Sequence, residues 1–297
     1  MYLAMLRRRR HPAESVRRDL TGKRVVFTGG TDGMGHLAVR RLARMNATLH
    51  IVGRNPEKTA RTVDDLNRLA STARAVGVEC DLGSLASVRA CAVTLLEQCP
   101  HIDLLVNCAG VIVWDRTLSP DGYEMTWAVN YLGPHLLTQL LLDRIKESAP
   151  ARIVHLSSAA AGTGHIHFDD LQLTRNWGAL KAYSQSKLAT NMATRALASR
   201  LEGSGVTVNV LHPGFTKTAL VRDLKGVRRV LGLLMKAFAS PPEVAAERIL
   251  AVALSPRYDG VSGQYVYEDA IRRHDREALD NAAVERLWSL SQESVGV

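Results

Sequence analysis

Tyr183 and Lys187 stand four residues apart within a helically patterned stretch, 181–202, so their side chains share one face. A fixed ammonium beside a phenol favours the phenolate and draws its pKa down from about 10 toward the working pH. A tyrosine tuned in this way serves as general acid for carbonyl reduction and as general base for alcohol oxidation. A second pattern lies toward the other end of the chain. Gly33-Met34-Gly35-His36-Leu37-Ala38 satisfies G-x-G-x-x-A just after an apolar, strand-like run ending at Thr28. Glycines there permit a tight turn and close backbone approach, and the helix start behind them offers free N–H groups to a pyrophosphate. The next strand end reads Ile51-Val52-Gly53-Arg54-Asn55. It lacks the carboxylate that accepts a ribose 2′-hydroxyl, and Arg54 supplies a bidentate partner for a 2′-phosphate. The pattern favours NADP(H), with NAD(H) as the alternative.

Ser157 and Ser158 close another strand-like run. Strand alternation sends neighbours to opposite faces, so only one of them can face a nicotinamide. A serine hydroxyl there donates to the reacting oxygen and stabilises developing charge.

Several segments now stand in a recognisable order. Thr28-Gly29-x-x-x-Gly33-x-Gly35, Asn107-Cys108-Ala109-Gly110, Asn130, Ser157-Ser158, Tyr183-Ser184-Gln185-Ser186-Lys187 and Pro213-Gly214 together resemble the short-chain dehydrogenase/reductase family. His167-Phe168-Asp169-Asp170-Leu171, Lys181-Ala182-Tyr183-Ser184-Gln185-Ser186-Lys187-Leu188, Gly205-Val206-Thr207-Val208-Asn209-Val210-Leu211-His212-Pro213-Gly214 and Glu285-Arg286-Leu287-Trp288 look like its retinol dehydrogenase-like branch, as does the insertion 163–178 between Ser158 and Tyr183. The resemblance implies NAD(P)-dependent interconversion of an alcohol and a carbonyl. It makes Ser158 the catalytic serine, gives Asn130 a water that relays protons to Lys187, and lets Lys187 reach the nicotinamide ribose. It also implies cofactor contacts from Gly29, Thr31, Asp32, Gly33, Met34 and Gly35 in the first turn and from Arg54 after the second strand. Asp81 and Leu82 would lie at the adenine, and Asn107, Ala109 and Gly110 on the adenosine ribose side. Pro213, Gly214 and Thr216 would lie at the carboxamide, and Thr218 at the pyrophosphate. Cys108 departs from the family pattern, which more often has a second asparagine there, and puts that residue's strand-stabilising hydrogen bond in doubt. Family habit further implies a homo-oligomer.

These residues need a scaffold that brings them to one edge. Apolar runs at 24–28, 48–52, 75–79, 104–107, 152–156, 206–211 and 264–267 alternate with longer amphipathic stretches. Such alternation predicts βαβ units: one doubly wound, Rossmann-like α/β domain over 20–297, with a parallel seven-stranded sheet and helices on both faces. Asp121 opens and Pro150 closes one helical stretch, Gly203 stops another, and Pro241-Pro242-Glu243 starts a further one.

The chain has 297 residues and a formal net charge of +9. The charge is unevenly placed: residues 1–24 carry +6, residues 216–240 carry +5, and the remainder sums to −2. A body of that sign offers no broad basic groove for nucleic acid. Residues 1–19 read as a basic tail, apolar first and basic second, the reverse of a secretory signal. Residues 216–240 read as a substrate lid, with Leu220, Leu224, Val227, Leu231, Leu234, Met235 and Phe238 at helical spacing beside a basic face. That face is read as solvated, with contact to a membrane surface the less favoured alternative. Cys80, Cys91, Cys99 and Cys108 lack metal or redox spacing, and His101, His165 and His167 form no ligand set, so no metal is expected. Free cysteines and no apolar run of about 18 residues suggest a cytoplasmic enzyme. The substrate expected is an apolar small molecule such as a retinoid, lipid aldehyde, steroid or ketone. A biosynthetic ketoreductase for a polar substrate and a non-catalytic NADP(H)-binding regulator are the alternatives.

Overall fold

The computed structural model describes residues 16–215 and 240–297. Thr216, Thr218 and the expected lid other than Ser240 lie outside them, as do residues 1–15 of the basic tail.

Strands and helices alternate as β1 (Arg24–Thr28), α1 (Gly33–Arg44), β2 (Thr48–Gly53), α2 (Pro56–Leu69), β3 (Ala75–Glu79), α3 (Leu85–Gln98) and β4 (Leu104–Asn107). A short α4 (Met125–Trp127), a π-turn (Ala128–Leu132), α5 (Gly133–Glu147), β5 (Ala151–Leu156), α6 (Ala179–Arg200) and β6 (Val206–His212) follow. After them come α7 (Pro242–Leu254), β7 (Tyr265–Tyr267), β8 (Ala270–Arg272) and α8 (Asn281–Val295). The sheet order is β3-β2-β1-β4-β5-β6-β7-β8. Pairing is parallel through β7, and β8 returns antiparallel to it. The order reverses between β1 and β4, which opens a crevice beyond their carboxyl ends.

The sheet therefore has eight strands rather than the seven expected. The extra strand is three residues, Ala270-Ile271-Arg272, mostly exposed, too short to show a period-2 pattern. It is joined to β7 by the two-residue turn Glu268-Asp269.

Alternate residues of the strands feed two cores, as the pleat requires. Val26, Val52 and Ile153 pack with α3, α5, α6 and α8 on one face. Phe27, Leu49, Ile51 and Val154 pack with α1, α2 and α7 on the other. Short polar side chains start the helices, with Asp32, Asn55, Ser84 and Asp280 accepting from first-turn N–H groups. The helix expected to open at Asp121 begins later. Glu124 caps it by accepting from Trp127 N at 2.7 Å, while Asp121 accepts from Leu85 N at 2.8 Å and so caps α3 instead. Among the described residues no helix is long and apolar enough to cross a membrane.

Four imidazoles are enclosed in this packing. Burial, helped by Arg24, holds His50 at about 4, and burial holds His135 at about 4 against the hydrogen bond its Nε2 donates to Gln292 Oε1. Burial with His135 and Lys187 nearby holds His155 at about 3, and burial with Arg248 nearby holds His212 at about 4. In the unfolded chain each takes its proton near 6.5, so between there and about pH 4 the unfolded state binds more protons and stability is lost as pH falls. The urea midpoint should therefore be clearly lower at about pH 5 than at about pH 7, with an unchanged denaturant slope. A midpoint that does not move over that range would contradict the enclosure of these groups.

Candidate active site

The first turn joins β1 to α1 through a backbone crossing that excludes side chains. A Cβ on Gly35 would collide with the carbonyl oxygen of Gly29. Asp32, expected at a pyrophosphate, spends its carboxylate locally: Oδ1 accepts from Gly33 N at 2.7 Å and Oδ2 pairs with Lys58 Nζ at 2.8 Å. Thr31, Gly33 and Met34 complete the turn, half-exposed. The buried Thr28 hydroxyl accepts from Cys108 N at 3.1 Å and Ala109 N at 3.2 Å, tying the loop after β4 to the end of β1. That tie supplies a strand link at the position where Cys108 departs from the family pattern.

Arg54 emerges beyond β2, exposed and in no ion pair among the described residues. Lys58, which the sequence reading passed over, lies one helical turn further on and faces the same first turn through Asp32. Asp81 is half-exposed after β3, its Oδ1 accepting from Gly83 N at 2.9 Å. The Leu82 side chain is buried in the core beneath, so that only its backbone is available at the expected adenine position. The Asn107 side chain likewise points into the interior. Its Nδ2 donates to Thr138 Oγ1 at 3.0 Å and to His155 Nδ1 at 3.2 Å, since the last β4 residue pairs with His155 and faces α5. Ala109 and Gly110 remain half-exposed on the loop.

The proposed proton-transfer groups converge at the carboxyl ends of β4 and β5. Ser158 follows β5 and starts a short 3₁₀ turn, its Oγ accepting from Ala160 N at 3.2 Å. Its hydroxyl also contacts Tyr183, whereas Ser157 is turned under and donates to the Lys187 carbonyl at 3.3 Å. Tyr183 and Lys187 both project from α6, and Lys187 Nζ lies 5.8 Å from the Tyr183 ring centroid. Burial raises the Tyr183 phenol above its ordinary value, with the Ser158 hydroxyl opposing. Lys187 is 4% exposed and donates to Leu156 O at 2.8 Å; burial lowers it to about 8, with Cys108 opposing. The depression of Tyr183 expected from its spacing is thus outweighed here by desolvation.

Asn130 occupies the π-turn rather than a regular helix. Its Oδ1 accepts from Val111 N at 2.8 Å, and its Nδ2 donates to Val111 O at 2.9 Å and to Ser186 Oγ at 3.1 Å. The side chain therefore clamps the loop after β4 onto α6. At Gly110 a Cβ would lie 3.4 Å from Lys187 Nζ and 3.5 Å from Asn130 Oδ1, so the three residues meet there.

Pro213 and Gly214 follow β6 and are buried. Behind them lies Arg248, a second residue the sequence reading missed, whose only signal was an arginine inside the apolar pattern of α7. Among the described residues no cluster of His, Cys, Asp or Glu could hold a metal ion.

The residues fit a dinucleotide. The crossing at Gly29 and Gly35 brings backbone close, the space beside Gly33 at the helix start is open for a pyrophosphate, and Arg54 is a cation beyond β2 in no ion pair among the described residues.

Comparison with known proteins agrees with this geometry. A family model described as short chain dehydrogenase matches residues 23–227. Human retinol dehydrogenase 13 is 38% identical over 285 residues, covering 94% of this chain and 86% of that protein. A crystal structure of an uncharacterized protein from Mycobacterium paratuberculosis superposes with a TM-score of 0.78 at 27% identity, covering 95% of this chain and 96% of that one. A blue fluorescent protein from a metagenomic library, solved in complex with NADPH, superposes with a TM-score of 0.67 at 26% identity, covering 85% of this chain and 98% of that one.

Proposed function

This chain belongs to the short-chain dehydrogenase family, and from that premise we propose that it is an NADP(H)-preferring enzyme acting on an apolar carbonyl or alcohol. Its retinol dehydrogenase-like kinship makes it an NAD(P)-dependent alcohol–carbonyl oxidoreductase. The finer reading is ours, and the observation that carries it is the meeting of Ser158, Tyr183 and Lys187 beside the carboxyl ends of the central strands.

The bound nicotinamide supplies or accepts the hydride. The chain's own residues handle the oxygen and its proton. Ser158 donates a hydrogen bond to the reacting oxygen, stabilising the charge that grows there during carbonyl reduction. Tyr183 OH gives its proton to that oxygen as the alcohol forms, and takes one in the reverse direction. Lys187 stabilises the phenolate left behind and reaches the ribose hydroxyls. Asn130 holds the loop after β4 in place, and its family role as keeper of a relay water is part of the proposal. Because burial raises the phenol, Tyr183 is protonated at neutral pH, which suits reduction; oxidation gains as pH rises.

The 2′-phosphate preference rests on Arg54, with Lys58 as a neighbouring cation. An apolar substrate is supported by Leu118, Leu180 and Phe215, large exposed side chains on segments that leave the carboxyl ends of β4, β5 and β6. Human retinol dehydrogenase 13 makes retinoids a natural first class to test. The intact Tyr183–Lys187 pair argues against a non-catalytic regulator.

Tyr183→Phe should lower turnover by about 10² to 10⁴-fold while NADPH still binds, and turnover close to wild type would refute its role in proton transfer. Arg54→Ala should weaken NADPH binding by about tenfold or more relative to NADH, and equal effects on the two cofactors would remove the 2′-phosphate assignment. An NADPH-consumption panel of retinal, alkyl aldehydes, steroid ketones and sugar-like ketones decides the substrate class; activity confined to the polar members would overturn the apolar reading.

A further inference from the structure

A buried cation stands behind the Pro213–Gly214 turn with no part in the chemistry described above. Arg248 on α7 is 1% exposed. Its Nη1 donates to Pro213 O at 2.9 Å. Its Nε and Nη2 form a two-pronged pair with Asp269, at 3.1 and 2.8 Å, and Nη2 also reaches Glu268 Oε2 at 3.2 Å. Both carboxylates come from the turn between β7 and β8, so the strand missed in the sequence is what delivers them.

Two backbone features show how tightly this corner is set. Gly214 has φ +92, and a Cβ there would collide with the Arg248 guanidinium. Glu268 adopts φ +56, a left-handed conformation uncommon for a residue with a side chain, and its N–H donates to His212 O at 2.8 Å. Such a conformation persists where the surroundings over-determine it, and here the carboxylate on Arg248 does so. Phe215, the next residue after this turn, is pinned as well, since Ser240 N donates to its carbonyl at 2.7 Å.

An apolar side chain would fill the same space without burying a charge, so filling space does not account for an arginine. Its directed donor does. A peptide is planar and trans, so holding the Pro213 carbonyl toward Arg248 turns the Gly214 N–H directly away from it. Among the described residues that N–H has no partner.

We propose that Arg248, braced by Glu268 and Asp269, is a positioning residue that fixes the Pro213–Gly214 peptide as a preset donor for the nicotinamide end of the cofactor. The inference rests on the reading that this turn borders the nicotinamide. It ascribes to Arg248 no contact with cofactor or substrate.

The test compares NADPH with 2′,5′-ADP, which keeps the adenosine and its 2′-phosphate but lacks the nicotinamide half. Binding of both to the full-length protein is followed by calorimetry for wild type, Arg248→Met, Arg248→Lys and the double variant Glu268→Gln/Asp269→Asn. Arg248→Met should weaken NADPH by about tenfold and change 2′,5′-ADP by less than about twofold. Arg248→Lys should fail to rescue, because an ammonium cannot hold a carbonyl and a two-pronged carboxylate together. The double variant, altered only at half-exposed carboxylates, should show the same split more weakly and decides the matter if Arg248→Met does not fold. Equal weakening of both ligands, or no change in either, overturns the role of Arg248. A wild-type protein that binds 2′,5′-ADP but not NADPH overturns the cofactor reading on which it stands.

Discussion

Lys187 places an ammonium inside the protein, and much of the surrounding architecture follows from accommodating it. A buried cation is usually neutralised by a carboxylate or drained of its proton. Among the described residues no carboxylate pairs with Lys187, and its donor goes to the carbonyl of Leu156 at 2.8 Å. Burial then brings it down to about 8, so it keeps its charge at neutral pH and remains sensitive to what approaches. A carboxylate partner would have locked the charge and turned it away from the tyrosine. A backbone carbonyl holds the side chain in position and leaves its electrostatic reach to Tyr183 and to the sugar it is proposed to meet.

That arrangement demands that Leu156 O be fixed, which ties the reaction centre to the interior of the sheet. Leu156 ends β5, and its neighbour His155 is paired across the ladder with Asn107, the last residue of β4. The Asn107 amide joins His155 to Thr138 on α5, and the Thr138 hydroxyl in turn donates to Pro134 O at 2.7 Å. These polar groups, with His135 and Trp288, line a partly open pocket of about 20 Å³, enough for one water molecule. The residues that leave this corner are the loop that crosses to Thr28 and the segment that carries Ser158. A single polar knot in the core therefore sets the exits of two strands at once, and the enclosed neutral histidines are the part of it most sensitive to acid.

The fold was legible because each strand is an apolar run long enough to register, and the predicted starts and stops fall within a residue of β1 through β7. The proposed catalytic groups were legible because helical spacing puts Tyr183 over Lys187 and because strand ends deliver Ser158 and Gly110 to one edge. What escaped was non-local. Nothing near Asp121 in the sequence says that its carboxylate caps a helix beginning at Leu85. Spacing alone also suggested that Lys187 would lower the Tyr183 phenol, but the balance between a nearby charge and desolvation is decided by packing. Nor does motif position say that the side chains of Asn107 and Leu82 face inward, since a motif orders residues along the chain and packing decides which side they occupy.

The short hairpin at the sheet edge shows why such omissions matter. β8 adds three residues, too few to contribute much burial, and as an edge strand it would be a liability if it were long and apolar. Its effect is geometric. By returning antiparallel to β7 it forces a tight turn at Glu268-Asp269, and that turn aims two carboxylates at Arg248. Without the hairpin, a buried guanidinium on α7 would be uncompensated, and arginine at 248 would be strongly destabilising. With it, the helix that begins just beyond residues 216–239 is bolted to the end of β6 by Pro213. The two ends of that intervening segment, Phe215 and Ser240, are thereby held against the same edge as Ser158 and Lys187. The eighth strand thus helps fix the described residues on either side of 216–239 to the end of β6.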